Sequence, residues 1–159
     1  MSDSTTEANN PATSDASTVL EVNAQYVKDL SFENPNAPSS LQQKTEPKVE
    51  VNVDVRAVNI SENVYEVTLT TAVTGYNDTT KLFIAELTYA GVFTLTGIEK
   101  NEVQPYLLIE CPRLLFPFSR SIIADVTRDG GFPPLLIQPI DFARLYINSQ
   151  HELKVETAE

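Results

Sequence analysis

The side chains that most often carry out catalysis are scarce in this chain of 159 residues. It contains one cysteine, Cys111, and one histidine, His151. Cys111 lies in an apolar run between Glu110 and Pro112, a setting typical of a thiol that packs in the core rather than of a nucleophile. One cysteine and one histidine cannot form an ordinary structural zinc site. We therefore expect no catalytic residue, no metal site and no cofactor, and interpret the chain as not an enzyme.

The acidic side chains are the more informative set. There are 22 acidic residues against 11 basic ones, which gives a net charge of −11. Such a charge repels phosphate backbones, and no stripe of basic residues offsets it, so we expect no binding to nucleic acid. The charge instead favours a cationic protein partner, because complementary charge speeds the encounter and sets specificity.

Two of these acids flank an unusual apolar segment, LSFENPNAP, at residues 30–38. Leu30 and Phe32 alternate with polar residues as in a strand, and two prolines then end any regular element. A core would use Phe32 without requiring the neighbouring Asp29 and Glu33. A docking surface would use the apolar and the acidic side chains together, so the segment leaves open whether it belongs to the core or to a docking surface.

The two ends of the chain are predicted to lie outside the folded domain. Residues 1–18 contain no lysine, no arginine and no apolar run, so we expect a disordered acidic tail rather than a signal peptide. Residues 19–150 are predicted to form one domain, followed by a flexible acidic tail at 151–159. No stretch has transmembrane length, and the single cysteine suits a reducing compartment. We therefore expect no membrane insertion and a cytoplasmic location.

Strand patterns fill the middle of the chain, after a partly extended lead-in at residues 19–45. Short polar turns leave no room for crossover helices, so the strands predict an antiparallel sheet. A uniform apolar stripe on the first strand normally needs a partner, and we interpret it as evidence for oligomerisation. This stripe consists of Val49, Val51, Val53 and Val55. The four predicted strands span residues 48–58, 64–74, 81–91 and 91–98.

The pattern changes to helical spacing after residue 100. One apolar face of a long helix is formed by Leu115, Phe118, Ile122 and Val126. Pro117 is expected to kink or split this helix. A proline-rich apolar loop follows at residues 130–139, and Asp141 can cap a final helix over 141–154. Together these elements predict an α+β domain, with a four-stranded antiparallel sheet, a long helix, a crossover loop and a C-terminal helix.

Several long stretches of the chain resemble the SecB family of proteobacterial protein-export chaperones. The resemblance covers most of residues 26–148, in the family's order. The stretches that carry it are YVKDLSFENPNAP (26–38), VYEVTL (64–69), LFIAEL (82–87), GVFTLTGIE (91–99), CPRLLFPFSR (111–120) and GGFPPLLIQPIDFARLY (130–146).

The resemblance implies a homotetramer, built as a dimer of dimers, that holds unfolded precursor proteins without ATP. It also implies that these clients are passed to SecA, the motor ATPase of the Sec translocase. In the family, acids of the segment at 26–38 belong to a flat acidic surface that receives the basic, zinc-binding tail of SecA. The matching residues are Asp29, Glu33, Ile84 and Glu86, with isoleucine at position 84 where leucine is usual.

The resemblance further implies an apolar groove for client chains, bounded by the crossover loop, the last helix and a sheet edge. The alternative is that loop and helix fold back as a lid on the core. Two other functions stay open: a SecB-like general or toxin-controlling chaperone outside export, and a purely structural oligomer. From periodicity we assign to the groove Phe32, Val49, Val51, Val53, Phe116, Phe118, Leu135, Leu136, Phe142 and Leu145.

Overall fold

A single twisted sheet carries the fold in the computed structural model, which describes residues 17–42, 45–149 and 155–157. Four long strands form its antiparallel part, in the order β1-β4-β3-β2. A fifth, three-residue strand pairs in parallel with β2. The strands are β1 (Val19–Glu33), β2 (Lys48–Ser61), β3 (Val64–Asn77), β4 (Thr80–Thr96) and β5 (Val155–Thr157).

Helices cover one face of this sheet. The long helix α2 packs on β3 and β4, and the crossover loop, residues 130–141, leads from it to the last helix. The helical elements are a 3-10 turn (Ser39–Gln42), α1 (Lys100–Pro105), a π-helical turn (Tyr106–Glu110), α2 (Cys111–Asp129) and α3 (Phe142–Asn148). The predicted α+β class, with a four-stranded antiparallel sheet, a long helix and a C-terminal helix, is confirmed.

The predicted break near residue 91 is wrong, because one strand, β4, continues through this position from Thr80 to Thr96. Gly91, where one predicted strand ended and the next began, is buried and pairs with both Val67 and Gln25. A Cβ at this position would lie 2.7 Å from the ring of Phe93 and 3.0 Å from Leu115 of α2. The glycine therefore provides space for the helix to pack on the sheet rather than a turn.

The lead-in is more regular than the sequence pattern indicated, since residues 19–33 form the complete edge strand β1. Its alternation is interrupted by two bulges in the pairing with β4, between Val22 and Ala24 and between Val27 and Asp29. Each bulge inserts one extra residue and shifts the side-chain pattern by one. The period of two therefore fails over the whole strand although the strand is continuous.

The hydrophobic core lies between the inner face of the sheet and α2. Leu115 and Ile123 of the helix are fully buried against Val67 and Leu69 of β3 and Leu87 of β4. In the same layer the hydroxyl groups of Thr71 and Ser119 share a hydrogen bond of 3.3 Å. Within the described residues, no buried side-chain nitrogen or oxygen lacks a hydrogen-bond partner, so this core has no unsatisfied polar group.

Pro117 does not split the long helix, because α2 runs without interruption from Cys111 to Asp129. Pro117 and Arg113, whose carbonyl would otherwise accept from residue 117, are both exposed, so water can satisfy that carbonyl. The irregularity lies instead before Pro112, where the Cys111 amide donates to the Tyr106 carbonyl in π-helical register.

The last helix begins as predicted and is shorter than predicted. The Asp141 carboxylate accepts a hydrogen bond of 3.1 Å from the Arg144 amide, which is the geometry of an N-cap. The helix then ends at Asn148, and residues 150–154 lie outside the described part of the chain. The predicted N-terminal tail falls mostly on residues 1–16, which also lie outside it, so the domain boundaries stay a prediction. In the part that the structure describes, no helix is long and apolar enough to cross a membrane.

Candidate functional site

The first candidate site is an apolar groove beside β2. Because α2 packs on β3 and β4, it leaves the start of β2 uncovered, and the crossover loop faces β2 there. The valine stripe of β2 runs from fully buried Val55, under the helix layer, to exposed Val49 and Val51 at the strand's start. A cavity of about 400 Å³ lies between these elements. This β2 groove is lined by Val49, Val51, Val53, Leu135, Leu136, Ile137, Gln138 and Ile140.

The structure brings five of the ten predicted groove residues into this cavity: Val49, Val51, Val53, Leu135 and Leu136. Leu136 is 67% exposed, and it is the most exposed of the large apolar side chains in the described residues. Three further lining residues, Ile137, Gln138 and Ile140, were not selected from the sequence. They continue the same loop segment, and its unbroken apolar run at 135–137 was the signal that would have found Ile137.

Three other predicted groove residues pack into or onto the core beneath α2 and α3. Phe142 is 1% exposed and meets buried Phe116 edge to face, with ring centroids 6.1 Å apart. Leu145 is half-buried and packs on the same core cluster. In this conformation these side chains support the groove region without lining its cavity.

Phe32 and Phe118 lie in two other places. Phe32 of β1 stacks on Phe83 at 6.2 Å, and Phe83 in turn contacts Phe132 of the crossover loop at 5.0 Å. Phe118 is 49% exposed on α2 and stacks on Tyr89 of β4 at 6.0 Å. The ten predicted residues therefore divide among the β2 groove, the core and two aromatic stacks.

The second candidate site is the outer face of the sheet, opposite the helices. Asp29 and Glu33 of β1 and Glu86 of β4 are exposed there, and half-buried Ile84 lies directly opposite Glu33. Glu86 lies opposite Ser31, between the two acids of β1. From standard strand spacings, each acid of β1 is about 8 Å from Glu86. We call these four residues the docking face.

A hydrogen-bonded cluster lies on the same outer face, toward the start of β1. Glu66 of β3 accepts from the Lys28 ammonium at 2.6 Å and from the Tyr26 hydroxyl group. Burial alone raises the pKa of Glu66, but the hydrogen bonds from Lys28 and Tyr26 lower it overall below its usual 4.5. Burial, followed by the hydrogen bond to Glu66, raises the pKa of Tyr26 to about 12.

These shifts predict how the cluster contributes to stability at different pH values. Because the pKa of Glu66 is lowered in the folded state, its carboxylate stabilises the fold at pH values above 4.5. This stabilisation is lost as the pH falls from 4.5 through the lowered pKa. The raised pKa of Tyr26 acts at the other end, where its contribution is lost as the pH rises through about 12. Denaturant unfolding should therefore show a larger loss of stability from Glu66→Gln at about pH 7 than at about pH 3. Equal losses at both pH values would contradict the assigned ion pair.

Cys111 has the environment of a packing thiol. Its side chain is fully buried, and burial, followed by the charge of Glu110, raises the pKa of the thiol to about 12. Within the described residues, no cluster of three or more His, Cys, Asp and Glu side chains could hold a metal ion. His151 lies outside those residues.

The state of Cys111 gives a simple prediction. The native protein should not react with a thiol reagent at about pH 8 over minutes, because the thiolate is scarce and the sulfur is inaccessible. Denaturant should expose one reactive thiol for each chain. The check is absorbance of the released chromophore with and without denaturant. Rapid reaction of the native protein would show that the thiol is accessible.

An open apolar groove lies on the helix-covered side of the sheet and an acidic face lies on the other side, an arrangement typical of proteins that bind other polypeptide chains. The family model described as preprotein translocase subunit SecB matches residues 13–153, and the chain belongs to the SecB family. The resemblance inferred from the sequence is thereby confirmed.

Named relatives agree with this assignment. The chain is 54% identical over 128 residues to the protein-export protein SecB of Rhodopseudomonas palustris (strain BisB5), covering 80% of this chain and 81% of that protein. It is 51% identical over 142 residues to the protein of the same name from Paramagnetospirillum magneticum, covering 88% and 91%. Protein export by a chaperone is thus the function of the family to which this chain belongs.

A solved structure shares the fold at much lower identity. A SecB-like chaperone of Mycobacterium tuberculosis, in complex with a peptide from an antitoxin, matches with a TM-score of 0.65 and 14% identity. The match covers 76% of this chain and 90% of the other. At this identity the likeness shows the fold.

Proposed function

We propose that this protein is an ATP-independent holding chaperone. It binds unfolded precursor proteins along the β2 groove, keeps them competent for translocation and delivers them to the SecA ATPase. The observation that carries the proposal is the groove itself, since Val49, Val51 and Leu136 are exposed around an apolar cavity of about 400 Å³. Exposed apolar side chains arranged in this way mark a binding site rather than an ordinary surface.

Magnitudes show why such a protein needs several weak contacts. Burying one large apolar side chain contributes roughly 1.5–3 kcal/mol, whereas micromolar affinity needs about 8.2 kcal/mol. Ordering each client residue costs about 1–2 kcal/mol, which offsets much of each contact. A groove repeated on several subunits overcomes this limit, because the second contact of one client forms at a high effective concentration.

A homotetramer, arranged as a dimer of dimers, would supply the repeated grooves, and the edge strand β1 supports assembly. One edge of β1 has no neighbouring strand among the described residues, so its backbone groups are open to pairing. Four large apolar side chains along it are also exposed, Val19, Val22, Val27 and Leu30.

Delivery is assigned to the docking face. Three exposed carboxylates beside an apolar Ile84 suit a partner that carries positive charge, as the basic tail of SecA does. The groove lies on the helix-covered side of the sheet and the docking face on the other side, so a client and SecA can be held together. Holding and delivering a client requires neither catalysis nor a cofactor. A protein with this function is expected in the cytoplasm.

A SecB-like chaperone that serves a toxin system or general folding is the second candidate. The Mycobacterium tuberculosis neighbour, in complex with an antitoxin peptide, shares this fold. Such a protein would use the groove without needing the docking acids. Asp29, Glu33 and Glu86 are all present and exposed here, which favours export.

A refolding experiment tests the holding function. A slow-folding precursor is diluted from denaturant with and without an excess of the purified protein, in the absence of nucleotide. We expect its folding to be arrested in the presence of the chaperone and to resume when a competing unfolded chain is added. An unchanged folding rate, with a folded and oligomeric protein, would contradict the proposal.

A further inference from the structure

Lys28 is a cation placed beside an acidic surface that is proposed to attract cations. It is next to Asp29 in sequence, and the bulge between Val27 and Asp29 makes it the extra residue of β1. A regular strand would direct Lys28 and Asp29 to opposite faces. The bulge lets both side chains lie on the outer face, where Lys28 contacts Glu66. A free lysine here would compete with a basic partner for Asp29.

Glu66 removes this competition by the way it holds Lys28. Glu66 lies opposite Val92 of β4, whereas Asp29 lies opposite Thr88, four residues earlier in that strand. Lys28 therefore extends across β4 and away from the docking face to reach the carboxylate of Glu66 at 2.6 Å. The Tyr26 hydroxyl group donates to the other oxygen of the same carboxylate, which fixes its orientation. Charge-assisted hydrogen bonds of this kind are directional as well as strong.

We propose that Glu66 is a positioning residue for SecA docking: it holds the Lys28 ammonium away from the docking face, so that Asp29, Glu33 and Glu86 stay free for the basic partner. This inference rests on the proposed docking function. Glu66 itself does not contact SecA in this account, since both of its oxygens are engaged by β1. Its effect on docking passes through Lys28.

The sheet offers a matched control for this role. Asp54 of β2 also lies on the outer face and pairs with Arg56 at 3.1 Å. Asp54 pairs with Thr70 of β3, Thr70 pairs with Thr88 of β4, and Thr88 pairs with Asp29 of β1, so Asp54 and Asp29 lie at the same level across the sheet. Strand spacings place Asp54 and Glu66 each about 15 Å from Asp29. Removing either charge therefore changes the long-range field at the docking face similarly, but only Glu66→Gln releases the lysine adjacent to Asp29.

The experiment measures the affinity of full-length SecA for wild type, Glu66→Gln, Asp54→Asn and the double variant Lys28→Gln with Glu66→Gln, at low salt. Glutamine keeps the hydrogen-bond acceptor for Tyr26, so the fold is preserved. We expect Glu66→Gln to weaken binding about three- to fivefold and Asp54→Asn less than about twofold. The double variant should return to the wild-type value, since no cation is left to compete.

Each outcome has a separate meaning. Equal losses in Glu66→Gln and Asp54→Asn would overturn the positioning role, because net charge alone would explain them. A double variant that stays as weak as Glu66→Gln would also overturn it, since Glu66 would then act through the shape of β1. Failure of the wild type to bind SecA would overturn the docking face itself, and the inference with it.

Discussion

Replacing Val51 and Leu136 by asparagine is expected to weaken the binding of an unfolded client about a hundredfold. Both side chains line the β2 groove, one from the sheet and one from the crossover loop. Losing two apolar contacts of roughly 1.5 kcal/mol each removes about 3 kcal/mol of binding free energy, which corresponds to that factor. Asparagine adds no charge, so the affinity for SecA should not change. The measurement is a calorimetric titration with an unfolded precursor.

Two controls separate binding from folding in this experiment. Ile60 and Ile147 are also exposed and lie outside the groove, so Ile60→Asn with Ile147→Asn should leave client affinity unchanged. Phe142→Asp should instead unfold the protein, because a charge would be buried at a position that is 1% exposed. Equal losses of affinity in the groove pair and in the control pair would show that the groove has no special role.

Replacing Asp29 by asparagine together with Glu86 by glutamine is expected to weaken SecA binding at least about tenfold at low salt. The two carboxylates are exposed on neighbouring strands of the docking face, and no salt bridge engages either of them among the described residues. The difference from wild type should shrink as salt is raised, since surface charges are screened within about 10 Å at 0.1 M ionic strength. Client affinity should stay the same, because the groove lies on the opposite side of the sheet.

The control for this pair removes the same net charge elsewhere. Glu62 lies in the turn between β2 and β3, and Glu99 precedes α1, so both are distant from the docking face. Both side chains are exposed. Glu62→Gln with Glu99→Gln should reduce SecA affinity less than about twofold. If both pairs lose affinity equally, net charge alone drives the association and the docking face has no specific role.

The sequence was most informative where the chain is regular. The valine stripe of β2 alternates without interruption, so its apolar face could be predicted, and the loop segment at 135–137 is apolar without interruption. These two features predict an apolar groove, because an apolar stripe on a sheet and an apolar loop are both expected to be buried against another apolar surface. The depth of burial could not be read in the same way. Phe142 and Phe118 were both assigned to the groove from the sequence, yet Phe142 is in the core and Phe118 is exposed.

The features that were missed depend on packing between distant residues. The bulges of β1 arise from pairing with β4, and no local pattern marks them. Position 91 requires glycine within the strand, because the side chains of Phe93 and Leu115 fill the space that a Cβ would occupy. The contact between Lys28 and Glu66 joins residues on strands that are not neighbours, and β4 lies between them. None of these relations is visible as a sequence period.

The most direct test of the holding function is a titration of the purified protein with a slow-folding precursor, once unfolded and once natively folded, without nucleotide. The account predicts submicromolar binding of the unfolded form and no measurable binding of the native form, because only an unfolded chain presents apolar segments to the β2 groove. Equal affinity for both forms, or no heat with either from a folded and oligomeric protein, would contradict it.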